Sequence, residues 1–575
     1  MTTIPKDKSI PERIYKALAS GSDKYALKVQ GKDYTYSQLR DAVFSFAASL
    51  QEMKASRVAL YTAATFQTYQ SLLGTLLTGI TCVPLNPLFP PLRNAFIIDH
   101  SDSTHIFIDY ECVDSALDTF INHMSEEQLS HLALFTMPDT VRVIDTWGSD
   151  RELSAELNRK LAIVKSRLTA VPYTAYSHDI CPEVELPEVD SEEIMHILYT
   201  SGTTGNPKGA MITQGNYAAY LDKILNMYQF SSSDVFTHYS VITFDMSLQD
   251  PLCSIISGGK LVCPTERDRT VPHRYLSDND ITVVHFVPSA ITYMHRIGVL
   301  KKLCNDRVRL AIFIGEPFWS QLARQFHKAF PVARIINAYG PTEATVAVSV
   351  YELSQEELCG DGRENYIVPV GCPLPGVDFA IADINGNPVS TGEVGELYIG
   401  GDQVALGYHK SNVEGAFFER DGKRWYKTGD MVRSSVETAS CDCLHAKASE
   451  SFTCLHFLGR NDDTVKVGSA RVSLLEVEEK LALLTPAPVK AVICSERYDG
   501  IDYNVIAVAF ENIDHSALES VKMRIGEVLP KYMYPRYMTT VPVFPLNVNQ
   551  KVDRKALKEM ILGNAASDPT LSVLS

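Results

Sequence analysis

The chain has no long basic run, and its formal net charge is −16 with a pI near 5.4. That disfavours a nucleic-acid or anionic-membrane partner, because both need a basic face. No apolar stretch is long enough to span a bilayer. The opening MTTIPKDKSIPER lacks the apolar centre of a secretory leader. Twelve cysteines are scattered without a secreted spacing, which points to a reducing compartment. Together these absences set the expectation of a cytoplasmic protein. Internal repeats are also missing, and with 21% charged residues and regular aromatics the chain is not disordered.

What is present is a large apolar content, 45% of 575 residues, too long for one ordinary domain. Helical periods alternate with short apolar strands: TYSQLRDAVFSFAASLQEM then RVALYTA, and later ITVVHFVPSA, VRLAIFIGE and ARIINAYGPTE. Strands separated by helices indicate βαβ units and parallel sheets, whose ligands sit at the carboxyl ends of strands. From about 365 short strands with glycine turns take over, and a last α+β unit carries SLLEVEEKLALL, VKAVICSE and NVIAVAFE. The expected fold is α/β: a large N-terminal lobe of βαβ subdomains plus a small β-barrel over 1–461, then a small mobile α+β domain over 462–575 with its hinge at Asp462.

One loop, YTSGTTGNPKG from Tyr199 to Gly209, follows the strand-like HILYT and holds three glycines, four Ser/Thr hydroxyls and one lysine. Glycine lets backbone N–H groups approach an anion, and the hydroxyls add donors, so the loop suits phosphate. It is not a Walker loop: Pro207 precedes Lys208 and Gly209 follows it. A second cluster, Cys441, Cys443, His445, Cys454 and His456, fits no common structural-zinc spacing and reads as a surface insertion from about Ser434 to Thr453.

Eight blocks in order, VPLNPLFPP, YTSGTTGNPKG, FDMS, NAYGPTEAT, GELYIGG, YKTGDMV, GRNDDTVKV and PLNVNQKVDRKAL, cover nearly the whole chain. With them the sequence resembles the adenylate-forming enzymes, above all the amino-acid adenylation domains of nonribosomal peptide synthetases and the D-alanine–carrier protein ligases. The resemblance implies an AMP-forming ligase using ATP and Mg²⁺. Thr200, Ser201, Thr203, Thr204 and Lys208 would close over the β and γ phosphates. Tyr339 would lie on the adenine, with Asn337, Gly315 and Glu316 near its edge. Asp430 and Arg460 would meet the ribose, Thr342 the α-phosphate, and Glu343 the Mg²⁺. Lys551, on the small domain, would bridge substrate carboxylate and phosphate, with Lys555 as an ordinary surface lysine.

By the same resemblance Asp245 pairs with a substrate ammonium, since a buried carboxylate is costly without a partner. A helix-capping role is its alternative. Met246, Gln249, Ala290, Ile312, Ile314, Ala338, Val346 and Ala347 would line the side-chain pocket, predicting a neutral, small to medium, mostly apolar amino acid, L or D. D-alanine ligases carry cysteine where Met294 stands. Gly468 and Ser469 replace the usual Arg-Gly of the thiol-side loop, and Gln550 the glycine before the lysine. Too few residues follow Lys551 for a carrier domain, so the expected partner is a separate carrier protein bearing phosphopantetheine. Alternatives are an acyl- or aryl-CoA ligase, an adenylate-forming amide ligase, and a non-catalytic nucleotide-binding relative.

Overall fold

The computed structural model describes residues 4, 8–147, 154–170, 183–201, 206–303, 305–360, 365–411, 413, 415–437, 452–460, 464–467, 470–498, 501–545 and 552–567. By contacts the chain divides into two units: Met1–Pro87, Ala95–Tyr199 and Gly209–Gly459 form one, and Leu88–Asn94, Thr200–Lys208 and Arg460–Ser575 the other. Among the described residues no helix is long and apolar enough to cross a membrane.

The large unit holds two mainly parallel sheets. The first has seven strands in the spatial order Leu168–Ala170, Ala133–Thr136, His105–Ile108, Arg57–Tyr61, Thr81–Leu85, Ile194–Thr200 and Lys208–Thr213. The second has nine: Cys372–Pro373, Ser349–Glu352, Arg334–Tyr339, Leu310–Ile314, Val283–Phe286, Val235–Thr237, Lys260–Val262, Tyr25–Val29 and Lys32–Thr35. Its central strands run parallel and its outer ones antiparallel. The central strands read as unbroken apolar runs because both faces are covered; all five residues of Leu310–Ile314 are buried.

Helix starts follow local chemistry. Thr35 and Gln38 form a capping box that opens the helix Tyr36–Glu52, and Thr213 with Asn216 does the same for Gln214–Tyr228. The glycine-rich segment after 365 forms an antiparallel sheet of Val377–Ala382, Val394–Gly401, Lys423–Glu437 and Phe417–Arg420, with Phe452–Arg460 added beside Lys423–Glu437. Those last two strands pair, which narrows the expected insertion to 438–451. Cys454 is buried and His456 shares a hydrogen bond with Ser435; Cys441, Cys443 and His445 lie outside the described residues.

In the small unit Val489–Tyr498, Ile501–Glu511 and Tyr537–Val541 make a three-stranded sheet. Val492, Cys494, Ala507, Ala509, Val541, Leu557 and Ile561 form its core with the helix Arg554–Ser567. Asp462, Gly468, Ser469, Gln550 and Lys551 are outside the described residues.

Candidate active site

The site is built where strands of the second sheet end. Leu310–Ile314 and Arg334–Tyr339 pair in register, Ile312 with Ile336 and Ile314 with Ala338, so their carboxyl ends release adjacent loops. The loop after Ile314 turns through Gly315, whose φ of +98° only glycine adopts easily. Glu316 then accepts hydrogen bonds from the Ser289 backbone N–H at 2.6 Å and its hydroxyl at 2.9 Å. The helix Pro288–Arg296 has no side-chain cap of its own, so Glu316 satisfies one of its amino-terminal N–H donors from another loop. Asn337 donates to the carbonyls of Val368 and Pro369 at 3.1 and 2.9 Å, tying down the chain that crosses beside it.

Past Tyr339 the chain makes a tight turn at Gly340, where a Cβ would stand 2.4 Å from the Val346 carbonyl oxygen. A short 3-10 helix, Thr342–Ala344, follows. Here the central contact forms: Thr342 Oγ1 donates to Asp245 Oδ2 at 2.7 Å. Asp245 begins the 3-10 helix Asp245–Leu248, whose N-cap is Phe244, without a side-chain cap bond. Asp245 is thus the first helical residue and not the N-cap, and its other oxygen accepts from the first-turn Met246 N–H at 2.7 Å. Burial first, then Cys253 and the carboxylates of Asp250 and Asp245, push the Tyr217 hydroxyl well above its ordinary pKa.

Glu343 is buried, and its carboxylate accepts from the Tyr408 hydroxyl at 2.6 Å. Tyr339 donates its hydroxyl to Asp430 Oδ2, which joins the expected adenine and ribose residues. Asp430 is itself buried and held by its N–H on Thr428 Oγ1 at 2.9 Å. Met246, Gln249, Ala290, Ile312, Ile314, Ala338, Val346 and Ala347 are all buried, as is Met294. Gln249 Oε1 accepts from Tyr220.

The remaining expected residues, where described, stand each in its own element. Thr200 ends its strand, Ser201 is buried, and Lys208 is buried at the start of Lys208–Thr213. Thr203, Thr204 and Lys551 lie outside the described residues. Arg460 ends the strand Phe452–Arg460 and groups with the small unit.

Three site-forming residues carried no motif. Thr345 and Val346 have φ of +57° and +66°, the left-handed region, which costs a β-branched residue about 1–3 kcal/mol. Gln403 holds this turn: its carbonyl accepts from Thr345 Oγ1 at 2.7 Å and its amide donates to the Ala347 carbonyl at 2.8 Å. Lys223 donates to Gln403 Oε1 at 2.7 Å; burial lowers its pKa to about 8. Tyr408 is the third. None is legible without the fold, because each is far in sequence from what it holds.

Known proteins share this sequence and fold. The AMP-binding enzyme family matches residues 15–409. A D-alanine–D-alanyl carrier protein ligase of Bacillus licheniformis is 32% identical over 383 residues, 65% of this chain and 72% of that protein. An L-proline–[L-prolyl-carrier protein] ligase of Pseudomonas fluorescens is 30% identical over 381 residues, covering 65% and 70%. Among solved structures, the Vibrio cholerae adenylation domain AlmE, in complex with glycyl-adenosine-5'-phosphate, superposes with a TM-score of 0.78 at 23% identity over 98% of this chain and 99% of that one. By this sequence match the chain belongs to the AMP-binding enzyme family, the adenylate-forming ligases.

Proposed function

We propose that this protein activates a neutral, small to medium, mostly apolar amino acid as its aminoacyl-adenylate and then passes the acyl group to the phosphopantetheine thiol of a separate carrier protein. The observation that carries the reading is the 2.7 Å bond between Thr342 and Asp245. It brings together the residue expected on the α-phosphate and the carboxylate expected on the ammonium, which supports a substrate carrying both a carboxylate and an amino group. The carrier ligases for D-alanine and L-proline among the relatives support the substrate class and the partner.

In the first step a substrate carboxylate oxygen attacks the α-phosphorus of ATP, and the bond to pyrophosphate breaks with its electron pair on the leaving oxygen. In the second the carrier thiolate attacks the adenylate carbonyl, the bond to AMP breaks, and the thiol proton goes to solvent. The protein's part is to position and to offset charge. Asp245 holds the ammonium, Tyr339 and Asp430 hold the nucleoside, and Thr342 steadies the α-phosphate. Glu343 offers a buried carboxylate oxygen, the donor a hard cation takes, and Mg²⁺ held there would neutralise phosphate charge. Residues 1–461 form the core and 462–575 a lid turning near Asp462, which carries Lys551 to the substrate carboxylate.

Pyrophosphate exchange across the common L- and D-amino acids and a few organic acids tests the reading. Exchange with one or a few neutral amino acids is expected. Exchange with organic acids alone would overturn the Asp245 assignment, and none at all would leave a nucleotide-binding relative without catalysis. Loading of a purified carrier then separates thioester from amide formation.

A further inference from the structure

Thr345 and Val346 are both β-branched, yet both stand in the left-handed region. Such a pair persists only where its surroundings over-determine it. The first half of the turn has partners at the site itself: Thr342 meets Asp245, and Glu343 meets Tyr408. The second half carries Val346 and Ala347, the residues expected against the substrate side chain. What holds that half therefore bears on which side chain fits.

It is held by Gln403, which is buried with it. The Gln403 backbone carbonyl accepts from Thr345 Oγ1 at 2.7 Å. Its side-chain Nε2 donates to the carbonyl oxygens of Ala347, Thr345 and Ala344 at 2.8, 3.3 and 3.4 Å. An amide can present either end, but only its NH₂ end donates to carbonyls. Lys223 decides which end faces the turn: its ammonium, with donors and no acceptor, donates to Gln403 Oε1 at 2.7 Å. Reversed, the amide would set its NH₂ against the ammonium and its oxygen against the three carbonyls. Asn216 completes the frame, donating its amide to the carbonyls of Asp402 and Val404, on either side of Gln403, at 2.6 and 3.0 Å. Asn216 and Lys223 stand two turns apart on the helix Gln214–Tyr228, on one face. One helix thus fixes both the backbone around Gln403 and the direction of its amide.

We infer that Lys223 and Gln403 are positioning residues for the amino acid: by holding Val346 and Ala347 in this turn, they set which substrate side chain the site accepts. The inference rests on the reading of the site as an amino-acid pocket. Neither residue is among those expected to touch the amino acid or the nucleotide. With Lys223 gone, the amide can turn over, and its bonds to the turn go with it. With Gln403 gone, Lys223 has nothing to act through. The two therefore work as one unit rather than as independent supports.

Pyrophosphate exchange by the full chain tests this, with the common neutral L- and D-amino acids, glycine to phenylalanine, as probes. Gln403→Ala should raise KM for the best amino acid by about tenfold and shrink its preference over the next larger one by a similar factor. KM for ATP should stay the same, because Thr342 and Glu343 keep their own partners. Gln403→Glu, which has the same shape and keeps an oxygen for Lys223 but loses the NH₂ donors, should behave like Gln403→Ala. Lys223→Met should raise KM for the amino acid by about threefold, and Lys223→Arg, which keeps a donor, should restore it. The double variant Lys223→Met with Gln403→Ala should match Gln403→Ala alone. Lys223→Met, on a half-buried side chain, keeps the test valid if Gln403→Ala fails to fold. KM rising equally for amino acid and ATP, an unchanged preference, or effects that multiply in the double variant would each overturn the inference. Wild-type exchange with no amino acid would overturn the amino-acid reading and this inference with it. Wild-type exchange that both single variants leave unaltered overturns this inference alone.

Discussion

The two sheets of the large unit share one plan, parallel strands with loops at their carboxyl ends, and both gather acids there, but with different partners. On the nine-stranded sheet, acids are tied into a polar constellation: Asp245 to Thr342, Glu343 to Tyr408, Asp430 to Tyr339. On the seven-stranded sheet, Asp109 accepts from the Thr65 hydroxyl and Asp139 pairs with Arg142. The difference teaches that a parallel sheet supplies a place where loops meet, while a few loop side chains decide what is built there.

The sharpest break is Lys551→Ala. If the second sheet's constellation needs this cation for adenylation, pyrophosphate exchange falls about 10²–10³-fold, as for loss of a key electrostatic donor. Lys555→Ala, on the helix Arg554–Ser567, should leave exchange unchanged. Equal rates in both variants would remove the cation from the account. Asp245→Asn should cost about 2–3 kcal/mol in kcat/KM for the amino acid, carried by KM for the amino acid rather than for ATP. A loss shared equally by both substrates would make Asp245 a folding residue.

Acid stability compares the sheets directly. Each has a buried histidine, His196 in Ile194–Thr200 and His238 after Val235–Thr237, held neutral by burial with pKa values lowered to about 3 and about 4. Unfolded, both would protonate near their ordinary 6.5. Between that value and the folded ones the unfolded chain binds more protons, so stability drops as pH falls. From pH 7 to pH 5 the loss should be about 2 kcal/mol per histidine. Urea midpoints at the two pH values measure it, and His196→Gln should remove its share. The smallest effect is Gln403→Ala, which frees the left-handed turn at Thr345 and Val346; about 1–2 kcal/mol of stability should go, read from the same urea transitions. A neutral result would show the turn to be self-supporting.

Much of the fold was legible. TYSQLRDAVFSFAASLQEM became the helix Tyr36–Glu52 because period and capping box agree, and VRLAIFIGE became Leu310–Ile314 because a run buried on both faces must be apolar throughout. The motif residues Asp245, Thr342, Tyr339 and Asp430 were singled out by their blocks, and the fold joins them in two pairs, Thr342 to Asp245 and Tyr339 to Asp430. The side-chain work of Glu316 and Asn337 was not legible, since a glutamate capping a helix from another loop leaves no mark in sequence. Gln403 and Lys223 escaped notice for the same reason.

By itself the sequence determined the alternation of strands and helices, the order of the motif blocks and the residue types offered to a nucleotide and an amino acid, because periodicity and turn chemistry are local. Only the tertiary structure decided which of those residues meet, that Asp245 reaches Thr342 with the oxygen its own helix leaves free of Met246, and that the first sheet reverses its winding beside Asp109. Those outcomes depend on strand order, and strand order is set by burial summed over the whole unit rather than by any one segment.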